Sequence, residues 1–259
     1  MPIKLPEIAS SQVIAFVLVL TRVGGLFVLA PIFSARALPV KAKLIAAGAI
    51  SFALVPVATH GRELPTDAFS TTTAIMGEAV VGLGFAFSIG VVLGAVQLAA
   101  SLLDTMVGFS FGGVLDPFSG QQQGPLGQLY ALFATTVLLL TGGDELMVRG
   151  LAESYATVPL GASPSAAAFS ALALDGFMRV FVIGLEIAAP VLIALVVTDA
   201  AFALVGRAVP QMNVFVVELP AKVLVAFAVV GASLPFVAGH LQQELARSVD
   251  LALRGLRVG

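Results

Sequence analysis

The sequence has no cysteine and no tryptophan, only two tyrosines and two histidines, and few charged residues. Because cysteine is missing, disulfides, zinc-thiolate sites and thiol nucleophiles are excluded. Charged residues make up 11% of the 259 positions, whereas a soluble domain carries about 25%. The formal net charge of -2 argues against nucleic-acid binding, which needs a clustered basic excess. With 59% hydrophobic residues, the chain has too little polar surface for a water-soluble fold.

What the sequence has instead is a set of long windows without any charged residue, the longest at residues 79–103 and 117–143. A helix needs about 20 apolar residues to cross a bilayer, and the period-two alternation of a membrane barrel is missing. The sequence therefore predicts an all-α, polytopic helical membrane protein. About six long helices are expected, at residues 11–33, 39–59, 71–104, 126–142, 175–207 and 213–255.

The predicted helices divide into a front part and a back part within one domain over residues 1–259. Residues 153–174 contain two prolines, one glycine and four serines, which predicts a polar loop. The front part is then 1–152, and the back part, 175–259, is a helical hairpin with a C-terminal tail. The first apolar stretch is too long for a signal peptide and contains Arg22, so we expect a retained helix.

Several charged residues fall inside apolar segments, where each costs about 2.5–3.5 kcal/mol on insertion scales. Glu218 and Lys222 are four residues apart with the acid first, which favours a helical ion pair. A structural pair is one interpretation, and a proton or ion relay through converging carboxylates is another. The charges expected to be buried are Arg22, Glu78, Arg179, Glu186, Asp199, Glu218 and Lys222.

Small residues recur every four positions in the third predicted helix, at Gly82, Ala86, Gly90 and Gly94. Such spacing places them on one helix face, and small faces allow close helix contact in membranes. The face is expected to pack either against another helix of the same chain or against another subunit.

Enzymatic function is not expected. Residues 108–112 match the G-x-S-x-G pattern of hydrolases, but that motif works on a strand-to-helix turn above a sheet, and no strand pattern surrounds it. No nucleotide-binding fingerprint is present, and no metal or cofactor site is expected.

The most unusual segment is residues 104–124, which is rich in glycine and phenylalanine and lies between two apolar helices. Non-helical backbone at membrane depth is tolerated only where protein buries it or where it lines a water-filled path. Apolar side chains on such a loop suit a hydrophobic constriction that seals a pore, although an ordinary surface loop is the alternative. The residues of interest are Met106, Phe109, Phe111, Gly112, Gly113, Leu115, Asp116 and Phe118.

Several motifs, in order and spacing, resemble the FliR family of flagellar export-gate proteins over essentially the whole chain. They include Arg-Val-Gly-Gly at 22–25, Arg-Ala-Leu-Pro at 36–39, Gly-Glu at 77–78, Asp-Pro at 116–117, Pro190, Pro-Gln-Met-Asn-Val-Phe at 210–215 and Leu-Pro-Ala-Lys at 219–222. The last two are the most specific.

The resemblance implies a single copy assembled with FliP and FliQ type subunits into a gate for unfolded flagellar polypeptides. It implies that the front part is FliP-like, that the last hairpin is FliQ-like, and that the loop over 106–118 plugs the closed channel. It also implies contact with an FlhB type switch protein, and a place in the bacterial inner membrane within the flagellar basal body. The alternative is a small-molecule or ion secondary transporter that uses the buried carboxylates.

Overall fold

The computed structural model describes residues 10–30, 33, 39–59, 64–65, 67–109, 124–162 and 165–256. Seven helices and no strand occur in these residues, which confirms the predicted all-α class. The helices are α1 Ser10–Leu29, α2 Val40–Ala58, α3 Ala68–Val107, α4 Pro125–Leu140, α5 Gly143–Thr157, α6 Ala166–Ala208 and α7 Val214–Gly255.

Five helices, α1, α2, α3, α6 and α7, are long and apolar enough to cross a membrane. The pair α4 and α5, bent by 64° at a short break, could form a sixth span. This confirms the prediction of a polytopic helical membrane protein. Helices α3, α6 and α7 contain 40, 43 and 42 residues, so each is about 60 Å long, roughly twice the hydrocarbon thickness.

The helix α5 corrects the sequence prediction, which placed no helix between residues 143 and 174. Asp144 and Glu145 lie in its first turn, where acidic side chains complement the positive end of the helix dipole. Gly142, at φ 69°, provides the left-handed residue that separates α4 from α5. The acidic pair that follows the fourth predicted helix is therefore the beginning of a further helix.

The polar loop predicted over 153–174 is also shorter than expected, because helices extend into it from both sides. α5 continues to Thr157, and α6 already begins at Ala166. Ser165 precedes α6, and its hydroxyl oxygen accepts the N–H of Ala168 at 3.1 Å, as an N-cap does. Alanine, the best helix former, then fills the first turn.

Two compact units can be distinguished in the chain. One contains Met1–Gly90, Gly142–Gly176 and Ala246–Gly259, and the other contains Val91–Thr141 and Phe177–Leu245. Both units thus draw on the front and the back of the sequence. The likeness of the front and back parts to two other kinds of subunit stays a prediction.

Candidate functional site

Arg22 and Glu78, both predicted to be buried charges, form an ion pair between α1 and α3. Both side chains are completely buried, and Arg22 Nε lies 2.5 Å from Glu78 Oε2. Arg22 Nη2 donates a second hydrogen bond to Glu78 Oε1 at 3.0 Å. Such a fork geometry joins the planar guanidinium to both carboxylate oxygens and fixes their relative orientation.

Residues from α5 and the turn after it complete this network. Arg22 Nη1 donates to Ser154 Oγ and to the Val158 carbonyl, each at 3.0 Å. The Tyr155 ring lies 4.1 Å from the guanidinium carbon, in a cation-π contact. Glu78 Oε1 also accepts the N–H of Gly161 at 2.8 Å. The pair is therefore satisfied within its own unit, which is the condition for burying two charges.

The small face predicted on α3 divides into residues with different surroundings. Gly82 packs against the backbone of α1, since a Cβ at this position would lie 2.2 Å from the Arg22 carbonyl oxygen. Ala86 is fully buried. Gly90, in contrast, has no atom within 4 Å of an added Cβ, and Gly94 has only a Val180 methyl at 4.0 Å. The Gly82 contact is thus within the chain, while Gly90 faces open space.

A second charged cluster lies on α6 and α7. Lys222 Nζ lies 2.8 Å from Glu218 Oε1, as the spacing predicts, and 2.7 Å from Asp199 Oδ1. The exposed fractions of the three side chains are 15% for Lys222, 25% for Glu218 and 41% for Asp199. Lys222 thus forms ion pairs with two carboxylates, of which the sequence predicted only that of Glu218.

Two further pairs link α6 to α7. Arg179 Nη2 binds Glu244 Oε2, both largely buried. His240 Nε2 lies 3.1 Å from Glu186 Oε2, and the imidazole stacks on the Phe236 ring. The prediction that Glu186 is buried is wrong for this chain by itself, because its side chain is 51% exposed.

The glycine- and phenylalanine-rich segment is described only at its two ends. Met106 is 46% exposed on the last turn of α3. Phe109 is half-buried, and its ring centroid lies 6.4 Å from that of Phe227 on α7. The other residues of interest in this segment lie outside the described residues, namely Phe111, Gly112, Gly113, Leu115, Asp116 and Phe118.

Asp104, which is 3% exposed, was not predicted as a functional residue. Its Oδ1 accepts the N–H of Leu126 at 3.0 Å and its Oδ2 accepts that of Gly127 at 2.9 Å, both at the start of α4. Its main-chain carbonyl accepts the N–H groups of Gly108 at 3.1 Å and Phe109 at 2.8 Å, just after α3. No local signal identifies such a residue, because the partners of its side chain lie more than 20 positions away.

Within the described residues, no group of three or more histidine, cysteine, aspartate or glutamate side chains could hold a metal ion. The serine of the G-x-S-x-G match, Ser110, lies outside the described residues. The seven charges that the sequence predicted to be buried all have a charged partner or, in the case of Glu186, a histidine.

Apolar helices of this length, held together by buried ion pairs, define a polytopic helical membrane protein. The chain belongs to the family described as bacterial export proteins, family 1, which matches residues 13–248. It is 32% identical to the flagellar biosynthetic protein FliR of Bacillus subtilis (strain 168), over 82% of this chain and 83% of that protein.

The FliR of Escherichia coli (strain K12) is 28% identical over 87% of both chains. The Yop proteins translocation protein T of Yersinia pestis is 26% identical over 85% of both chains. The resemblance to the FliR family that the sequence motifs indicated is therefore confirmed.

Proposed function

We propose that this chain is the FliR-type subunit of a type III protein export gate, in which it forms a channel for unfolded flagellar polypeptides together with FliP and FliQ type subunits. Membership of the bacterial export family over residues 13–248 is the observation that carries the proposal. The relatives include both flagellar proteins and a Yop translocation protein, which points to a role common to flagellar and virulence secretion.

The surface of the chain supports an assembly rather than a protein that works alone. Large apolar side chains are exposed along both helices of the back hairpin, for example Phe177, Ile193, Phe215 and Leu224. Helices of 43 and 42 residues extend well beyond a hydrocarbon core of about 30 Å. The parts outside the lipid need protein partners, and FliP, FliQ and FlhB type proteins are the ones we propose, within the bacterial inner membrane and the flagellar basal body.

The segment between α3 and α4 is proposed to close the channel when nothing is exported. Its composition, rich in glycine and phenylalanine, suits an apolar constriction that excludes water and ions. The glycines allow an arriving polypeptide to displace it. In this role the chain itself performs no chemistry, and no cofactor is needed.

Co-purification tests the assembly. An affinity-tagged copy, extracted in mild detergent, should bring two other kinds of membrane protein, a FliP-type and a FliQ-type subunit. Purification alone, or as a symmetric oligomer of itself, would favour the secondary transporter instead. A Lys41→Ala variant that purifies with the same partners would show that the capture does not depend on one exposed basic residue.

Conductance tests the closing role of the loop. Deletion of residues 108–116 should leave the complex assembled and should raise the passive ion leak across membranes that contain it. The amount of complex is measured in the same membranes. An unchanged leak, with the complex present, would return the segment to the status of an ordinary loop.

A further inference from the structure

A groove lies between α6 and α7 at Pro190, and both of its walls belong to the second unit. Its volume is about 440 Å³. Alanine, valine and proline side chains and the ring of Phe236 form most of the wall. Two lining residues, Glu186 and Ser233, carry side-chain oxygen atoms. The groove is therefore a largely apolar cleft with a small number of polar groups in it.

These polar groups still have room for hydrogen bonds. The carboxylate of Glu186 is 51% exposed. Pro190 has no N–H, so the main-chain carbonyl of Glu186, four residues earlier, lacks its helical donor. The Ser233 hydroxyl donates to the Val230 carbonyl at 3.0 Å, which leaves its own oxygen as an acceptor. One turn of α6 thus presents a carboxylate and a free carbonyl, and the facing turn of α7 presents a hydroxyl oxygen.

Two buried polar atoms near the groove have no well-aligned hydrogen bond to any described residue. His240 Nε2 lies 3.1 Å from Glu186 Oε2, but the two are not aligned for a hydrogen bond. The hydroxyl of Tyr130, which is completely buried on α4, points toward Ser233 in the same way. Buried polar groups are satisfied by protein or by ordered water in the great majority of cases. A buried water needs about two to four polar partners, and this groove supplies them.

The chemistry of the groove favours water over the other possible occupants. A lipid acyl chain offers no hydrogen-bond donor and could not solvate the Glu186 carboxylate. A helix of another subunit would need donors placed against a carboxylate, a main-chain carbonyl and a hydroxyl oxygen at once. Water supplies a donor to each of these acceptors without any fixed spacing.

We propose that the groove at Pro190 is a water-filled crevice in the back hairpin, and that it attracts small cations through the charge of Glu186. A charge in a cleft with low-dielectric walls focuses its field and raises the local concentration of ions of opposite sign. His240 does not cancel this charge when it is neutral, as an ordinary histidine is above about pH 7.

The other charges of α6 and α7 in this unit leave Glu186 as the source of the field. Arg179 pairs with Glu244, and Lys222 pairs with Asp199 and with Glu218. The parts of α3 and α4 that belong to the same unit carry Asp104 as their only charged residue, and its carboxylate is occupied by two N–H groups.

The sequence contains no cysteine, so each introduced thiol is the only one in the chain. Ala189→Cys and Ala232→Cys place a thiol in the wall of the groove with little change of volume. Charged methanethiosulfonate reagents modify thiolates in water but not thiols in hydrocarbon. In the complex purified with its partners and reconstituted in vesicles, both positions should react, as followed by the mass of this chain. Ala188→Cys is the matched control, because Ala188 is completely buried beside Ala189 and should not react.

The sign of the reagent tests the charge of the crevice. At about pH 8, where an ordinary histidine is neutral, a trimethylammonium reagent and a sulfonate reagent of similar size are compared. After each rate is divided by its rate with a free thiol, the cationic reagent should react about tenfold faster. Glu186→Gln should remove this preference and keep the reaction. Glu218→Gln should keep the preference, because Glu218 is already paired with Lys222.

Two kinds of result would overturn the proposal. If neither cysteine reacts, the crevice holds no water. Nitroxide labels at the same positions then identify the occupant: collision with oxygen alone means lipid, and collision with neither oxygen nor a water-soluble nickel complex means a protein cover. A reaction without preference for the cation, or a preference that survives in Glu186→Gln, would refute the role of Glu186. These outcomes are the same whether or not the complex exports polypeptides, so they stand apart from the proposed function.

Discussion

The buried Arg22–Glu78 pair allows the sharpest test of how the first unit is held together. Glu78→Gln keeps the shape of the side chain and removes its charge. The guanidinium of Arg22 then stays completely buried, with a hydroxyl, a carbonyl, the new amide and the Tyr155 ring around it but no negative charge. Removing one partner of a buried ion pair costs about 3–5 kcal/mol, because the remaining charge is uncompensated in a low-dielectric site.

The double variant Arg22→Met with Glu78→Met removes both charges at once. Replacing a whole buried pair by apolar residues of similar size is often nearly neutral. Here the N–H of Gly161 and the carbonyl of Val158 also lose their partners, at about 1–3 kcal/mol for each orphaned group. The double variant should therefore be destabilised, but by at least about 2 kcal/mol less than the sum of the two single changes to methionine.

Stability can be followed as the loss of the folded chain during titration with a denaturing detergent, read out by protease resistance. Glu145→Gln is the matched control, because Glu145 forms an exposed pair with Arg149, at 2.5 Å and 70% and 65% exposed. Exposed pairs contribute little, so this change should hardly move the transition. Additive losses in the double variant, or a Glu78→Gln transition equal to that of the control, would refute the reasoning.

The remaining predictions concern three other places. Glu218→Ala should reduce assembly less than Lys222→Ala. In the first variant Lys222 keeps its ion pair with Asp199 on α6, whereas in the second both carboxylates lose the lysine. Equal yields of purified complex from the two variants would contradict this. Gly82→Leu should prevent the chain from accumulating, because its Cβ would meet the α1 backbone. Gly90→Leu should leave the amount of the chain unchanged, because nothing lies within 4 Å of an added Cβ. If the Gly90 face is a subunit interface, this variant should lower the yield of the complex. Asp67 has a pKa lowered from 3.8 by the side-chain hydrogen bond of the serine that follows three residues later. The contribution of the Asp67 carboxylate to stability is therefore present at neutral pH and is lost as the pH falls through its lowered pKa. Asp67→Ala should lower the melting temperature of the complex slightly at pH 7, and the difference should disappear once the pH is below that lowered pKa.

The sequence allowed the prediction of features whose cause is local. The windows without charged residues predicted the membrane spans, and the four-residue spacing of Glu218 and Lys222 predicted their ion pair. It also singled out Arg22 and Glu78 as charges that need partners. Their partners in α5 could not be predicted, because Ser154 lies 132 positions from Arg22 in the chain and joins it only through tertiary packing.

The cap of α4 was missed for a related physical reason. Rules for helix starts examine the N-cap and the first turn, and at Gly124 they find no side chain. The glycine alone suggests a loop, although the carboxylate of Asp104, 20 residues upstream, occupies the space that a side chain at Gly124 would fill. A missing local cap before a regular helix is thus a reason to search for a distant one.

The distribution of burial indicates which helices still need partners. In its most apolar window, α3 is 67% buried within the chain, whereas α6 is 33% buried and α7 only 11%. Lipid could cover the apolar side chains of the back hairpin, but it could not solvate Asp199 or Glu186, which are 41% and 51% exposed on the same helix. Whatever surrounds the hairpin must therefore be polar at these two positions, as a protein surface or a water-filled path is. The back hairpin is therefore where a partner subunit or a water-filled path is expected to cover the chain.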